Sequence, residues 1–348
     1  MKAMSLDNVI FDKDCANNLL DILVVRRNRL GDAAITCIVL KQLLSQYKNA
    51  RISVITNNYA AAVYREFLPE LDVFEMPSSF WGIAYTLLFE SRMKELRLRR
   101  FDLAINCSGS FSTKAIFTLF FFRAKLKVAV GNSKRKFWNF FLDNALPLDE
   151  SLRNCHQVEK IISLFKRAKY DLSLPSPSVK KRGASRSFLL FPECNRTESA
   201  WPLSNWLHLR DLLIEHGFLV TICGSSKLAA SVNIEVSSPK NTKELIWIIR
   251  DYDHIVSSEG GVSHLSALAG KRSTTISGVS IKNIWFPWSF DASLIEREGN
   301  VHSITVEEVF KIIHRNKELK DPSVFNLSFK KASNNFKVSN EESPFFKD

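Results

Sequence analysis

Three short loops carry the residue types that do chemistry. The first, Arg26-Arg27-Asn28-Arg29-Leu30-Gly31-Asp32, sets three arginines and a glycine directly before a carboxylate. Asp32 reads in two ways. It is a helix N-cap contributing roughly 1 kcal/mol, or a general base at the mouth of a cleft with Arg26 nearby to bind anionic groups. The second loop, Ser257-Ser258-Glu259-Gly260-Gly261-Val262-Ser263-His264, opens a helical stretch with two adjacent glycines. Such a turn is a common diphosphate cradle, because the amides of a first helical turn are unpaired and glycine lets the ligand approach. His264 gains weight from standing one turn inside that helix start. The third loop runs from Pro192 to Pro202 and offers Asn195, Arg196, Thr197 and Ser199 to phosphate oxygens, with Trp201-Pro202 starting the next helix. Neither glycine loop is G-x-G-x-x-G or a P-loop, and Gly270-Lys271-Arg272-Ser273 lacks the earlier glycine of a Walker A motif. There is no H-E-x-x-H, no G-x-S-x-G and no metal-spaced carboxylate cluster, so zinc and serine hydrolysis have no support and no metal site or cofactor is expected.

The segments around these loops alternate between buried strand and helix. DILVVR (21–26), RISVIT (51–56), 71–75, FDLAIN (101–106) and 126–130 read as strands, with helices expected over 32–46, 57–67, 83–98, 112–122 and 156–169. After a segment rich in Pro, Ser and charge the alternation restarts. Strands are expected at 188–191, 218–223, 255–257 and 273–277, and helices at 203–216, 242–250, 262–269 and 306–315. That pattern implies parallel sheets covered by helices on both faces. In such sheets, ligands bind at the carboxyl ends of strands, where all three loops fall. The expected organisation is an N-terminal extension over 1–20, a Rossmann-like domain over 21–171, a linker over 172–187, a second Rossmann-like domain over 188–317 and a polar tail over 318–348.

The chain has 348 residues, 45% hydrophobic and 24% charged, which excludes disordered, fibrous and collagen-like classes. The apolar run Ala115 to Phe122, bracketed by Lys114 and Arg123, is far short of a membrane span of roughly 20 residues. The amino terminus does not read as a secretory signal, so a cytoplasmic location is expected. Six cysteines without a C-x-x-C pair read as small buried hydrophobes. The net charge of +12 is lopsided: residues 1–170 hold 26 basic against 16 acidic residues, the remainder 22 against 20. No acid falls between Asp102 and Asp143, whereas Lys114, Arg123, Lys125, Lys127, Lys134, Arg135 and Lys136 do, with Phe137, Trp138, Phe140 and Phe141 directly following. Such a run is a solvated face, a single-stranded nucleic-acid surface or a seat at anionic membrane headgroups.

Taken in order, these segments resemble glycosyltransferase family 9, the heptosyltransferases of bacterial lipopolysaccharide core assembly. ILVVRRNRLGDAAITCIVLKQL is similar to the family's first strand, S-x-G-D loop and helix; FDLAINCSGSFSTKA to its Y-D-L-x-I-D-x-Q-G segment; and HQVEKIISLF to its H-x-V-E helix. FPECNRTESAWPLSNWLHL is similar to its K-x-W-P segment and SSEGGVSHLSALAGKRSTTISG to its D-T-G-x-x-H-L-A-A-A segment. The resemblance implies a GT-B architecture, two facing Rossmann-like domains with an interdomain cleft. It further implies an ADP-heptose donor, with no other cofactor, and an anionic inner-core glycolipid acceptor. Asp32 then matches the catalytic base and Arg26 a basic residue near the sugar and phosphates. Gly260, Gly261 and His264 match the nucleotide-diphosphate loop, joined by Asn195, Arg196 and Thr197. Arg27, Arg29, Lys134, Arg135 and Lys136 become candidate acceptor contacts. The partners implied are a nucleotide sugar and the inner face of the bacterial inner membrane, met peripherally, with no nucleic acid expected. Two departures fall in the donor site: Ser199 stands where the family has lysine, and Glu259-Gly260 where it has Asp-Thr. Losing a cation beside a leaving diphosphate weakens transition-state binding unless Arg196 or Lys227 supplies it. A relative using another nucleotide sugar or acceptor, or a degenerate module that binds an anionic glycolipid or polymer without catalysis, therefore stand as alternatives.

Overall fold

Ile22 to Val25 are apolar on both faces of the chain, so this strand needs cover on two sides and cannot lie at a solvated sheet surface. The computed structural model describes residues 20–27, 29–131, 136–146, 154–178, 185–279 and 283–315. In it, β1 (Leu20–Val25) is paired in parallel on both sides, with β2 (Ala50–Thr56) and β4 (Arg100–Asn106), in registers such as Ile22 opposite Ile52 and Leu103. The first sheet is completed by β3 (Asp72–Glu75), β5 (Arg123–Val130) and β6 (Asn144–Leu146), in the order β3-β2-β1-β4-β5-β6. The second repeats this order with β9 (Val236–Ser237), β8 (Leu219–Cys223), β7 (Ser187–Phe191), β10 (His254–Ser258), β11 (Arg272–Ser277) and β12 (Ala292–Glu296). Both sheets are parallel throughout and reverse their winding between their first and fourth strands, the order of a doubly wound Rossmann sheet.

One face of the first sheet is covered by α1 (Leu30–Gln46), α2 (Asn58–Phe67) and α7 (Gln157–Arg167). The other is covered by α3 (Phe80–Phe89), α4 (Ser91–Leu98), α5 (Thr113–Phe120) and the short α6 (Lys136–Asn139). In the second half, α10 (Thr242–Asp251) and α11 (Gly261–Leu268) cover one face, and α8 (Leu203–Glu215) and α12 (Val306–Arg315) the other, with α9 (Ser226–Ser231) between β8 and β9. The core under α1 and α7 runs on without a break into Leu245, Ile249, Val262, Leu265 and Trp288 of the second half. The two halves thus join through an apolar seam as well as through polar contacts. At its far end Glu66 of α2 accepts from Arg250 Nη1 at 3.0 Å and Trp247 Nε1 at 3.2 Å, both on α10.

Several expectations are corrected. The helix expected over 83–98 is two, because Glu90 is extended and re-aims the chain so that Met93 and Leu96 reach the core already entered by Ile83 and Leu87. The first helix begins at Leu30, two residues before the expected start, which makes Asp32 its third residue and Arg29 its cap. The short elements α6, α9, β6, β9 and β12 were not expected. Of the cysteines, Cys37, Cys107 and Cys223 are buried, but Cys155 and Cys194 are only partly so, and Cys15 lies outside the described residues. Residues 1–19 of the expected extension, the whole of the expected tail and residues 179–184 of the expected linker also lie outside them. Before that gap, Ser178 is hydrogen-bonded through Oγ to Ala267 O at 2.8 Å, and Pro175 O accepts from Trp288 Nε1 at 3.0 Å.

Candidate functional site

The two winding reversals bring the three loops to one place. Arg26 follows β1 and Cys107 follows β4, at the first reversal; Pro192 follows β7 and Glu259 follows β10, at the second. Arg26 is 2% exposed. Its guanidinium donates to the Cys107 carbonyl and to Asp32 Oδ1, while its own backbone N–H is spent on Ile55 O at 2.9 Å. Asp32, 8% exposed, uses its other oxygen to accept the Arg29 N–H at 3.0 Å, at the start of α1. The carboxylate is therefore fixed by a buried cation on one oxygen and a helix terminus on the other, and each oxygen retains a lone pair for a proton. Removing either member of such a buried pair strands the other as an uncompensated charge.

The start of α1 packs directly on the start of α11. A Cβ on Gly31 would lie 2.7 Å from His264 Cδ2 and 3.4 Å from Gly261 Cα, and one on Gly261 would lie 3.2 Å from the Gly31 N. These glycines set how closely the two halves approach. Gly260 caps α11 at φ 147°, a conformation that L side chains rarely adopt. The first-turn amides of two helices thus converge where both reversals meet, the arrangement that suits an anion.

His264 is buried behind this junction, near the Trp285 ring, and its Nδ1 has no partner among the described residues. Burial pushes its pKa down to about 4. His156, which caps α7, accepts the Val158 N–H at Nδ1 (3.1 Å) and so donates from Nε2 to Phe286 O (2.7 Å), with its ring over Trp288. It too is held down by burial, to about 3. Both are neutral in the fold, whereas each takes a proton near pH 6.5 once unfolded. Acid then favours the unfolded state. Their contribution is complete above about pH 6.5 and is lost as the pH falls, the loss ending near 4 for His264 and near 3 for His156. We expect the denaturation midpoint to drop between about pH 7 and about pH 5, and to drop less in His156→Asn, which keeps a capping side chain without the titration. Equal drops in the two proteins would contradict a neutral His156.

The remaining expected residues are divided. Arg196 Nε pairs with Glu259 Oε1 at 3.1 Å, and burial raises the Glu259 carboxyl against the pull of Arg196 and Arg29. Asn195 and Thr197 are exposed beside them, and Lys227 is exposed on α9. Ser199 departs from expectation. It is 0% exposed, and its hydroxyl accepts the Gly278 N–H at 3.1 Å, tying the 197–199 turn to the end of β11 rather than facing a ligand. Arg27 donates to the Pro77 carbonyl and Arg29 is exposed at the junction. Lys134 and Arg135 lie outside the described residues, as does the side chain of Lys136. Sequence reasoning missed the Cys107 carbonyl, which tertiary contact alone reveals, and His156, whose signal was the glutamate three residues on, a capping-box spacing. Among the described residues no three His, Cys, Asp or Glu side chains gather as a metal site requires.

Comparison with known proteins gives this geometry its context. The model of glycosyltransferase family 9 (heptosyltransferase) matches residues 90–314. No curated protein sequence matches. Among solved structures, E. coli heptosyltransferase WaaC with ADP is similar at a TM-score of 0.68 and 16% identity, over 85% of this chain and 100% of that one. E. coli ADP-heptose lps heptosyltransferase II is similar at 0.66 and 18%, over 86% and 98%. A family 9 glycosyl transferase from Veillonella parvula is similar at 0.71 and 14%, over 86% and 97%. With the family model spanning parts of both sheets and the backbone matching those enzymes over nearly their whole length, the chain belongs to glycosyltransferase family 9, the heptosyltransferases, and is a glycosyltransferase of GT-B fold.

Proposed function

We propose that this glycosyltransferase moves a heptose from ADP-heptose to an anionic inner-core lipopolysaccharide acceptor, with inversion and without a metal, at the inner face of the bacterial inner membrane. The observation that carries the reading is the buried Arg26–Asp32 pair standing at the α1 terminus where it meets the α11 terminus. Asp32 takes the proton of the acceptor hydroxyl as that oxygen bonds to the anomeric carbon. The bond from that carbon to the diphosphate oxygen breaks, and ADP leaves on the opposite face with the bonding pair. Charge building on the diphosphate is met by the first-turn amides of α11, by Arg196 and by Lys227. Arg26 holds the base in place, and Arg27 and Arg29 meet acceptor phosphates.

A second reading, another nucleotide sugar, is favoured by the Arg196–Glu259 pair. A carboxyl at the mouth of α11 repels a diphosphate when charged and donates a hydrogen bond when protonated, so donor contacts here differ from a plain cation cradle. Calorimetric titration with ADP, ADP-heptose, UDP and UDP-sugars decides. Selective, saturable affinity for the ADP series is expected. Preference for UDP transfers the assignment to the second reading, and no nucleotide affinity removes both in favour of a non-catalytic binding module.

A further inference from the structure

The helix α3, FWGIAYTLLF, contains no charge and is apolar all round, yet it is a surface helix. Its inner side buries Ile83 and Leu87; its outer side exposes Trp81 (83%), Tyr85 and Phe89. A helix of this kind is ordinarily buried or in contact with lipid. Its rings continue into the neighbouring helices. Phe80 meets Phe117 of α5 at 4.5 Å, Phe117 meets Phe121 at 5.0 Å, and Phe120 meets Phe141 at 5.0 Å. Phe137 and Phe140 of the α6 region extend the run, and Phe140 is 85% exposed.

We propose that the outer face of α3, α5 and α6 is a seat for an anionic bilayer surface. Charge complementarity selects this occupant. Lys114 and Arg123 are exposed along this layer, Arg92 flanks it on α4, Lys125 is exposed but paired with Asp102 at 2.7 Å, and no acid occurs between Asp102 and Asp143. Ring-rich apolar surface beside Lys and Arg is the composition that inserts shallowly among headgroups while cations meet lipid phosphates. The position also fits. Lys114 Nζ donates to Ser78 O at 2.7 Å and Arg27 to Pro77 O, so the segment leading into α3 is tied to the loop that holds Asp32. A lipid-borne acceptor on that surface arrives beside the candidate base. This last point alone rests on the proposed function.

Flotation of the full chain with phosphatidylcholine vesicles, with and without phosphatidylglycerol, tests the seat. Binding is expected to phosphatidylglycerol vesicles, roughly tenfold weaker to neutral ones, and to weaken with salt. Trp81→Ser/Tyr85→Ser/Phe89→Ser should lose at least about tenfold in vesicle affinity. Phe137→Ser/Phe140→Ser, on a separate element, should lose affinity too, and both variants should keep the wild-type melting temperature and ADP affinity. No binding by the wild type, or undiminished binding by both variants, overturns the proposal. So does a wild-type dimer in light scattering that the triple variant dissociates, because a second copy would then cover the face. Vesicle binding without ADP affinity sinks the donor assignment and leaves the seat standing; ADP affinity without vesicle binding does the reverse.

Discussion

Asp32→Asn is expected to lower transfer by roughly 10²–10⁴-fold, the range lost when a positioned general base is removed. The amide keeps the shape of the carboxylate and its one oxygen can still accept from either Arg26 or the Arg29 N–H, so ADP affinity should stay within a few-fold of the wild type. Stability will not be untouched. The buried guanidinium of Arg26 loses its counter-charge, and breaking a buried pair costs on the order of 3–5 kcal/mol, somewhat less here because one of the two hydrogen bonds survives. Turnover must accordingly be compared well below the melting temperature of the variant. Asp32→Ala, which removes the remaining hydrogen bond as well, should melt lower than Asp32→Asn. Full turnover by Asp32→Asn with unchanged ADP affinity would show that the proton goes elsewhere.

Gly278→Ala should be the most destabilising methyl in the second half. A Cβ there would fall inside the contact radius of the Glu198 carbonyl oxygen and 3.2 Å from Val301 Cβ, so backbone has to move. Overpacking of this kind costs about 1–3 kcal/mol, and this case belongs at the upper end because neither neighbour is the tip of a flexible side chain. The same shift pulls the Gly278 N–H from Ser199 Oγ and displaces the turn that follows Arg196. A lowered melting temperature should therefore come with weaker nucleotide affinity. Ser199→Ala separates the two effects, since it removes the hydrogen bond without the clash and should cost only about 1 kcal/mol. If Gly278→Ala melts no lower than Ser199→Ala, the turn is less tightly held than its contacts indicate.

The central strands of both sheets were legible because buried parallel strands leave a continuous apolar run, as ILVV and FLLF do. The edge strands β6 and β9, three and two residues long, leave no such run. β12 is masked by the charged EREGN that overlaps its end. The break at Glu90 was hidden because both α3 and α4 are helical by composition, and only the need to turn Met93 toward the same core separates them. At the site, Asp32 and the glycine loop could be read from local spacing, since a helix start is a local event. Ser199 could not. In sequence it is one polar residue among many, and the partner that buries it lies 79 positions away. The Glu66–Arg250 contact, 184 positions apart, is beyond any local pattern.

The contacts between the halves have a consequence for how they can move. On the first sheet α2, α1 and α7 lie side by side, and each meets a different part of the second half: α2 meets α10 at Glu66, α1 meets α11 at Gly31, and His156 with Gln157 at the start of α7 meet the segment holding Ile284 and Phe286. Fixings set in a row resist sliding and twisting but leave rotation about the row itself, as in a piano hinge. A swing about this seam is therefore expected to disturb fewer contacts than sliding or twisting of one half on the other. The glycine contact in the middle then works as the knuckle, and any side chain added there would shift the axis as well as the gap.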